Sequence, residues 1–351
     1  MDLSGLDHEQ LHVSRGSRSG AYTIIAVHST KLGPALGGCR MTTYAHPGEA
    51  VGDVLRLSAG MTFKAAVAGV GLGGGKGVIA IEPGTELTHE LRDAMLLDFA
   101  DSVELLGGRY ITAEDVGTAP TDMRLIASRT EHVVGLPESL GGFGDPSPYT
   151  ALGVHAAIRA SVAHRFGSSD LTGRTAAVVG AGHVGEHLVR MLVADGAQVI
   201  VADIDERKRA LVEELEGTTW MTPEAALLAD VDILAPCALG GILNQDTVPA
   251  LRARIVCGAA NNQLAHDALA VELAHRGIVY APDFVANAGG LVLVDAELTG
   301  SDREGARSAI GNIERVVTRL LAVADERDTT PLAAAYELAE DRLGAPAGVR
   351  A

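Results

Sequence analysis

The chain has 351 residues, with 28 Lys and Arg against 45 Asp and Glu, and so a formal net charge of −17. That length suits two domains, each large enough to bury its own core, and 47% apolar with 21% charged residues excludes wholesale disorder. The acidic balance argues against a nucleic acid or an anionic membrane as partner, since both call for a basic face, and no run approaches the ~20 apolar residues that span a bilayer.

The opening MDLSGLDHEQ has neither the basic nor the apolar region of a secretory signal. AYTIIAVH (21–28) reads as a strand, and 47–69 has helical spacing through Val54, Leu57 and Met61. GVGLGGGKG reads as a glycine-rich turn leading into a strand, VIAIE (78–82). A helix over 89–106 presents Leu91, Met95, Phe99 and Val103 on one face, and RYITAED (109–115) is a short strand with an acidic end. The Gly/Pro/Ser-rich stretch 140–150 is the best domain boundary. Beyond it, 150–166 is a helix, and 175–206 runs strand, glycine turn, helix, strand, acidic end. VDILAPC (231–237) and 253–262 are further strands, 303–328 and 331–343 are helices, and GAPAGVRA at the end reads as frayed. Strand–helix alternation predicts a parallel sheet with helices on both faces.

Glycine is abundant, at 42 residues, while aromatics reach only 3%, so the cores must be built from Ala, Val, Leu and Ile. Of the 28 basic residues only Lys31, Lys64, Lys76 and Lys208 are lysines. A Lys within an apolar, glycine-rich run therefore needs its own explanation, because Lys can lose its proton at accessible pH and Arg cannot. The three cysteines, Cys39, Cys237 and Cys257, form no CxxC pair and read as small buried thiols of a soluble cytoplasmic protein.

The strongest motif is Gly180-Ala181-Gly182-His183-Val184-Gly185, between a strand and a helix, with Asp203 at the end of the next strand, 23 residues after Gly180. This is the context of a dinucleotide-binding turn. The first glycine allows the turn, the second admits a pyrophosphate and the third packs helix on strand. Helix N–H groups then face the phosphates. Asp203, with Ile204 beside it, would meet the adenosine ribose and repel a 2′-phosphate, which favours NAD over NADP.

A second constellation is Gly73-Gly74-Gly75-Lys76, with Lys64 twelve residues upstream. A phosphate-binding P-loop fails twice, because Val70 and Gly77 stand where glycine and Ser/Thr are needed. A desolvated Lys suits a general base, and the other could anchor a carboxylate; spacing leaves the two roles open. Asp115, after Thr112-Ala113-Glu114, is a candidate proton shuttle at a strand end. His183 and His187 lack the HExxH pattern and a third ligand, so no metal is expected.

Taken together, LGPALGGCR (32–40), MTFKAAVAGVGLGGGKGVI (61–79), YITAEDVGT (110–118), GDPSPYTALGV (144–154), APCALGG (235–241), CGAANNQL (257–264) and YAPDFVANAGG (280–290) resemble the glutamate/leucine/phenylalanine/valine dehydrogenase family, closest to its valine, leucine and phenylalanine members. The resemblance implies reversible oxidative deamination of an L-amino acid to a 2-oxo acid and ammonia, with NAD. By position it implies Lys76 as the catalytic base, Asp115 as the acid managing the amino group, and Lys64 as the carboxylate anchor. Gly37, Gly38 and Asn262 would lie near the substrate, and Arg40, Thr150, Ala238 and Ala260 around the cofactor. Glutamate-specific members carry Lys where this chain has Leu36, so an aliphatic substrate is expected. Ala113, Leu291 and Val294 would complete a pocket for valine, leucine or isoleucine. A phenylalanine dehydrogenase, a 2-hydroxy acid dehydrogenase and a non-catalytic NAD sensor are the alternatives. The implied architecture is α/β: a substrate-binding and oligomerisation domain (1–140), a doubly wound Rossmann domain (141–329) and a cleft between them. Residues 330–351 would pack back on the first domain, in a homo-oligomer.

Overall fold

The computed structural model describes residues 6–344. Within them the chain forms two compact units. The first holds residues up to Asp145, Val294–Ser301 and the stretch from Glu340; the second holds Pro146–Leu293 and Asp302–Ala339. The change from one to the other falls at 145/146, inside the Gly/Pro/Ser-rich segment and five residues past 140. Residues 345–351, with nearly all of the tail expected to fray, lie outside the described residues.

The first unit contains β1 (Gln10–Arg15), β2 (Tyr22–Ser29), β3 (Ala35–Thr43), α1 (Pro47–Ala68), β4 (Gly73–Ile81), α2 (His89–Glu104), β5 (Tyr110–Glu114) and α3 (Pro120–Ala127). Its sheet runs β1-β2-β4-β3-β5, with β2 antiparallel to β1 and β4, and β3 parallel to β4 and β5. Alternation along the strands sorts two cores. Ile25, Val27, Ile79, Leu96, Phe99 and Tyr110 pack on the α2 side, and Ile24, Ala26, Val51, Val54 and Val78 on the α1 side. Asp98 on α2 is buried, and its carboxylate accepts from the backbone N–H groups of Arg18 and Ser19 (3.2 and 2.9 Å) and from the Ser19 hydroxyl (2.7 Å). It thereby ties the β1–β2 turn to the helix.

The glycine-rich segment is not a turn. Gly73, Gly74, Gly75, Lys76 and Gly77 lie in β4, which is buried along its whole length. A Cβ at Gly74 would fall 2.1 Å from the Thr62 hydroxyl on α1, and one at Gly77 would fall 2.4 Å from the Phe99 ring. The glycines let a helix and aromatic rings close on the strand from both sides. At the far end of α1, Arg342 donates to the carbonyl of Ala66 in the last turn and to that of Val70 just beyond the helix (both 3.0 Å).

The second unit contains α4 (Ser147–Phe166), β6 (Thr175–Val179), α5 (His183–Ala194), β7 (Gln198–Ala202), α6 (Ala210–Glu214), β8 (Thr218–Trp220), α7 (Pro223–Leu227), β9 (Ile233–Pro236), β10 (Ile255–Val256), α8 (Ala268–His275), β11 (Val279–Tyr280) and α9 (Asp283–Ala286). They are followed by α10 (Gly289–Leu298), α11 (Arg303–Arg327) and α12 (Pro331–Leu343), of which residues 294–298 and 340–343 group with the first unit. The sheet is parallel throughout, in the order β11-β10-β9-β6-β7-β8. This is the doubly wound order, whose direction of winding reverses between β6 and β9. The expected strand over 253–262 shrinks to two residues, because beyond it the Ala260 N–H bonds the Pro236 carbonyl (2.9 Å) and Asn262 turns into a left-handed conformation.

Candidate functional site

In the first unit, strand register assembles a polar cluster on the α1 side of the sheet. Lys76 on β4 stands opposite Ala26 on β2, and Gly38 on β3 stands opposite Ala113 on β5. Side chains two residues apart on a strand share a face, so Leu36, Gly38 and Arg40 line up beside Ala113 and Asp115. Lys76 is only 5% exposed, and its Nζ lies 2.8 Å from Asp115 Oδ1. Asp115 Oδ2 accepts from Arg40 Nε at 2.9 Å. The Asp115 backbone N–H donates to the Thr118 hydroxyl, which donates to the Cys39 carbonyl, so both ends of the residue are held.

The arrangement continues outward. Arg40 Nη1 donates to Asp53 Oδ2 (2.8 Å), which also accepts from the Tyr44 hydroxyl (2.8 Å), while Asp53 Oδ1 accepts from Arg56 (2.7 Å). Asp53 and Arg56 sit one turn apart on α1. Tyr44 and Asp53 were missed by sequence reasoning, and no linear signal would have found them, because their partner Arg40 comes from a strand.

Electrostatics follow from burial and charge. Burial pushes the Lys76 ammonium below its ordinary value, and Arg40 adds to that; Asp115 opposes it without overcoming it. Burial pushes the Asp115 carboxyl up, but Lys76 and Arg40 outweigh this and hold it below the usual carboxylate range. Burial likewise raises Cys39 well above an ordinary thiol and carries Cys237, which is half-buried rather than fully buried as expected, to about 12.

Lys64 lies on α1, half-buried, and Leu36 is buried on β3. A Cβ at Gly37 would fall 1.8 Å from the Gly75 carbonyl oxygen, and one at Gly38 would fall 2.7 Å from the Asp115 Cβ. The sheet's own packing therefore requires both glycines.

In the second unit, Gly180–Gly185 occupies the turn from β6 into α5, at the reversal of the sheet. Gly180 takes a φ of +106°, and a Cβ there would strike Ala238, which follows β9. A Cβ at Gly185 would fall 1.9 Å from the Gly180 carbonyl oxygen. At Gly182, the α5 N-cap, a Cβ would meet nothing within 4 Å. Two glycines thus serve packing and one borders open space beside the first-turn N–H groups, which fits a dinucleotide pyrophosphate. Asp203 Oδ2 accepts from the Ala181 N–H at 2.7 Å, which brings the acidic strand end against the turn, and Ile204 beside it is exposed. His183 and Val184 open α5.

Ala260 is buried beside Pro236, and the exposed Asn262 has a φ of +52°. Thr150 on α4 lies against Gly290, where a Cβ would fall 2.8 Å from its hydroxyl. Leu291 is buried on α10, and Val294, one turn later, groups with the first unit. The structure thus gathers Lys76, Asp115, Arg40, Gly38 and Ala113 in one unit, and Gly180–Gly185, Asp203, Ala238 and Ala260 in the other.

Residues 8–132 match the family model described as the Glu/Leu/Phe/Val dehydrogenase dimerisation domain, and 199–345 match that of glutamate/leucine/phenylalanine/valine dehydrogenase. Valine dehydrogenase of Streptomyces coelicolor is 44% identical over 345 residues, covering 96% of this chain and 92% of that protein. Leucine dehydrogenase of Geobacillus stearothermophilus is 43% identical over 337 residues, covering 96% and 91%. The crystal structure of L-tryptophan dehydrogenase from Nostoc punctiforme matches with a TM-score of 0.84 at 41% identity, over 97% of each chain.

Proposed function

Because the chain belongs to the glutamate/leucine/phenylalanine/valine dehydrogenase family, we propose that it catalyses the reversible, NAD-dependent oxidative deamination of a branched-chain L-amino acid to its 2-oxo acid and ammonia. The valine and leucine dehydrogenases among its relatives support the reaction class and the aliphatic substrate. The observation that carries the reading is the buried Lys76 paired with Asp115. A lysine whose proton is made labile by burial can take a proton from a water that attacks an imino carbon, then return it to the leaving nitrogen. Asp115, kept ionised by Lys76 and Arg40, is suited to accept a proton from the substrate ammonium.

Lys64 is assigned the substrate carboxylate. A bound nicotinamide would supply the hydride acceptor, held by Gly180–Gly185 with Asp203 at the ribose. The carboxylate of Asp203 is the ground for choosing NAD over NADP, since it would repel a 2′-phosphate. Leu36, Ala113, Leu291 and Val294 are assigned to the side-chain pocket. None of them offers a charge to pair with a second carboxylate, so glutamate is disfavoured. Valine, leucine and isoleucine differ by a methylene or by branching, about 1–3 kcal/mol of discrimination, so overlapping activities are expected. A homo-oligomer is proposed on the strength of the dimerisation-domain match.

An aromatic amino acid is the second reading, favoured by the tryptophan dehydrogenase likeness. The test is NADH absorbance with purified protein, NAD or NADP, and valine, leucine, isoleucine, phenylalanine, tryptophan and glutamate at alkaline pH. An aliphatic substrate in the lead with NAD supports the proposal. An aromatic lead would overturn the pocket assignment, and cofactor binding without turnover would favour a sensor.

A further inference from the structure

Away from the lysine site, Asp7, His8 and His28 bring a carboxylate and two imidazoles together, with ligand atoms all within 4.8 Å of one another. His8 Nε2 lies 3.1 Å from the Leu55 carbonyl and 2.9 Å from the Ser58 hydroxyl. A carbonyl can only accept, so Nε2 is a donor and Nδ1 is the nitrogen that faces Asp7. That Nδ1 is buried, has no hydrogen-bond partner, and sits 3.1 Å from Asp7 Oδ1 on a side chain only 6% exposed. His28 lies beside it, its Nδ1 2.8 Å from the Thr62 hydroxyl and its Nε2 3.3 Å from Asp7 Oδ2, within hydrogen-bond reach.

A carboxylate and two imidazoles thus converge, and the buried Nδ1 of His8 has no hydrogen-bond partner there; the two rings pack edge to face with centroids 4.7 Å apart. A divalent cation satisfies all three donors at once. Two imidazole nitrogens and a carboxylate oxygen are donor types that Zn2+ takes, at bonds of ~2.0–2.1 Å. The remaining nitrogen of each ring is held by a protein oxygen, as is usual for metal-bound histidine.

We propose that Asp7, His8 and His28 bind one Zn2+ ion, with a water as fourth ligand, and that the ion clasps the chain before β1 to β2 and, through Leu55, Ser58 and Thr62, to α1. The site shares no residue with the proposed catalytic cluster and does not depend on that reading. Its role is structural, because the ion would join the chain before β1 to β2 and to α1.

The test uses tag-free, chelator-treated full chain. Zn2+ stoichiometry is measured by equilibrium dialysis with metal analysis, and Co2+ is substituted to read coordination from its visible spectrum. One Zn2+ per chain, an intense tetrahedral Co2+ band and a Tm that rises on adding Zn2+ are expected. Asp7 is exposed, so Asp7→Asn should fold normally, keep amino-acid turnover, bind Zn2+ at least ~10-fold more weakly and lose the Tm rise. His28→Gln should abolish the Co2+ band. No uptake at micromolar Zn2+ by the wild type, or undiminished affinity in Asp7→Asn, would overturn the proposal.

Discussion

Buried Lys76 and half-buried Asp115 pair at 2.8 Å, Nζ to Oδ1, and only the carboxylate has a second cation at its other oxygen. The asymmetry decides which partner gives way as conditions change. Asp115 is stabilised as an anion from two sides, whereas Lys76 has the full cost of burial set against a single carboxylate.

Removing the amine tests the assignment directly. Lys76→Ala should lower kcat by about 10²–10⁴, the usual contribution of a positioned acid–base group. NAD binding, measured by fluorescence titration, should survive. Lys76→Arg should be as inactive as the alanine variant, because a guanidinium cannot serve as the base. Turnover near the wild-type rate in either would remove Lys76 from the chemistry.

The pH profile should show the same residue. Deprotonated Lys76 is the active form, so kcat should rise with pH along a limb centred below 10.5. Arg40 lowers the Lys76 value by charge repulsion. Arg40→Gln should therefore move that limb to higher pH, and Asp53→Asn, which loosens Arg40, should change kcat more than KM. A limb that stays in place in Arg40→Gln would reduce Arg40 to a structural role.

The glycine turn offers a contrast between packing and binding. Gly182→Ala adds a methyl into open space and should leave Tm nearly unchanged while weakening NAD. Gly185→Ala drives a methyl onto the Gly180 carbonyl and should lower stability first. Equal losses of stability in the two variants would contradict the open position at Gly182.

Asp98 supplies a stability prediction with a definite sign. Burial raises its carboxyl, yet Ser19 and Arg18 more than offset this, so the folded value lies below 3.8. A depressed carboxylate contributes stability above its unfolded value and loses it as pH falls through the folded one. Asp98→Asn should therefore be less stable than wild type at pH 7 in urea unfolding. The gap should close below pH 3.8. A gap independent of pH would point to packing alone.

Much of this was legible in the chain itself. The spacing over 47–69 and 331–343 marks α1 and α12 to within a residue, since Pro47, Gly69 and Pro331 punctuate the ends. Two segments defeated the pattern. Gly73–Gly77 reads as a turn and is the most buried strand of its sheet, and β3 hides behind Gly37 and Gly38. In both cases glycine was selected by what lies across from it, the Thr62 hydroxyl, the Phe99 ring or a neighbouring carbonyl, and a linear reading does not see across a sheet. The same limit applies to the site. Lys76, Asp115 and the dinucleotide turn carry signatures, while Asp53 and Tyr44 matter through a strand–helix contact that no spacing encodes. The His8–His28 meeting escaped for the same reason, with twenty residues between the two rings.

The hydrogen bonds from Arg342 to Ala66 and Val70 have a consequence for synthesis. The first unit is built mostly from residues before Pro146, yet it recruits Asp295, which accepts from the Gly71 N–H, and Arg342, which donates at the end of α1. The end of the helix bearing Lys64 thus waits for these two partners while more than two hundred residues are translated, including the whole parallel sheet of the second unit. The unit that emerges first is the last to be finished.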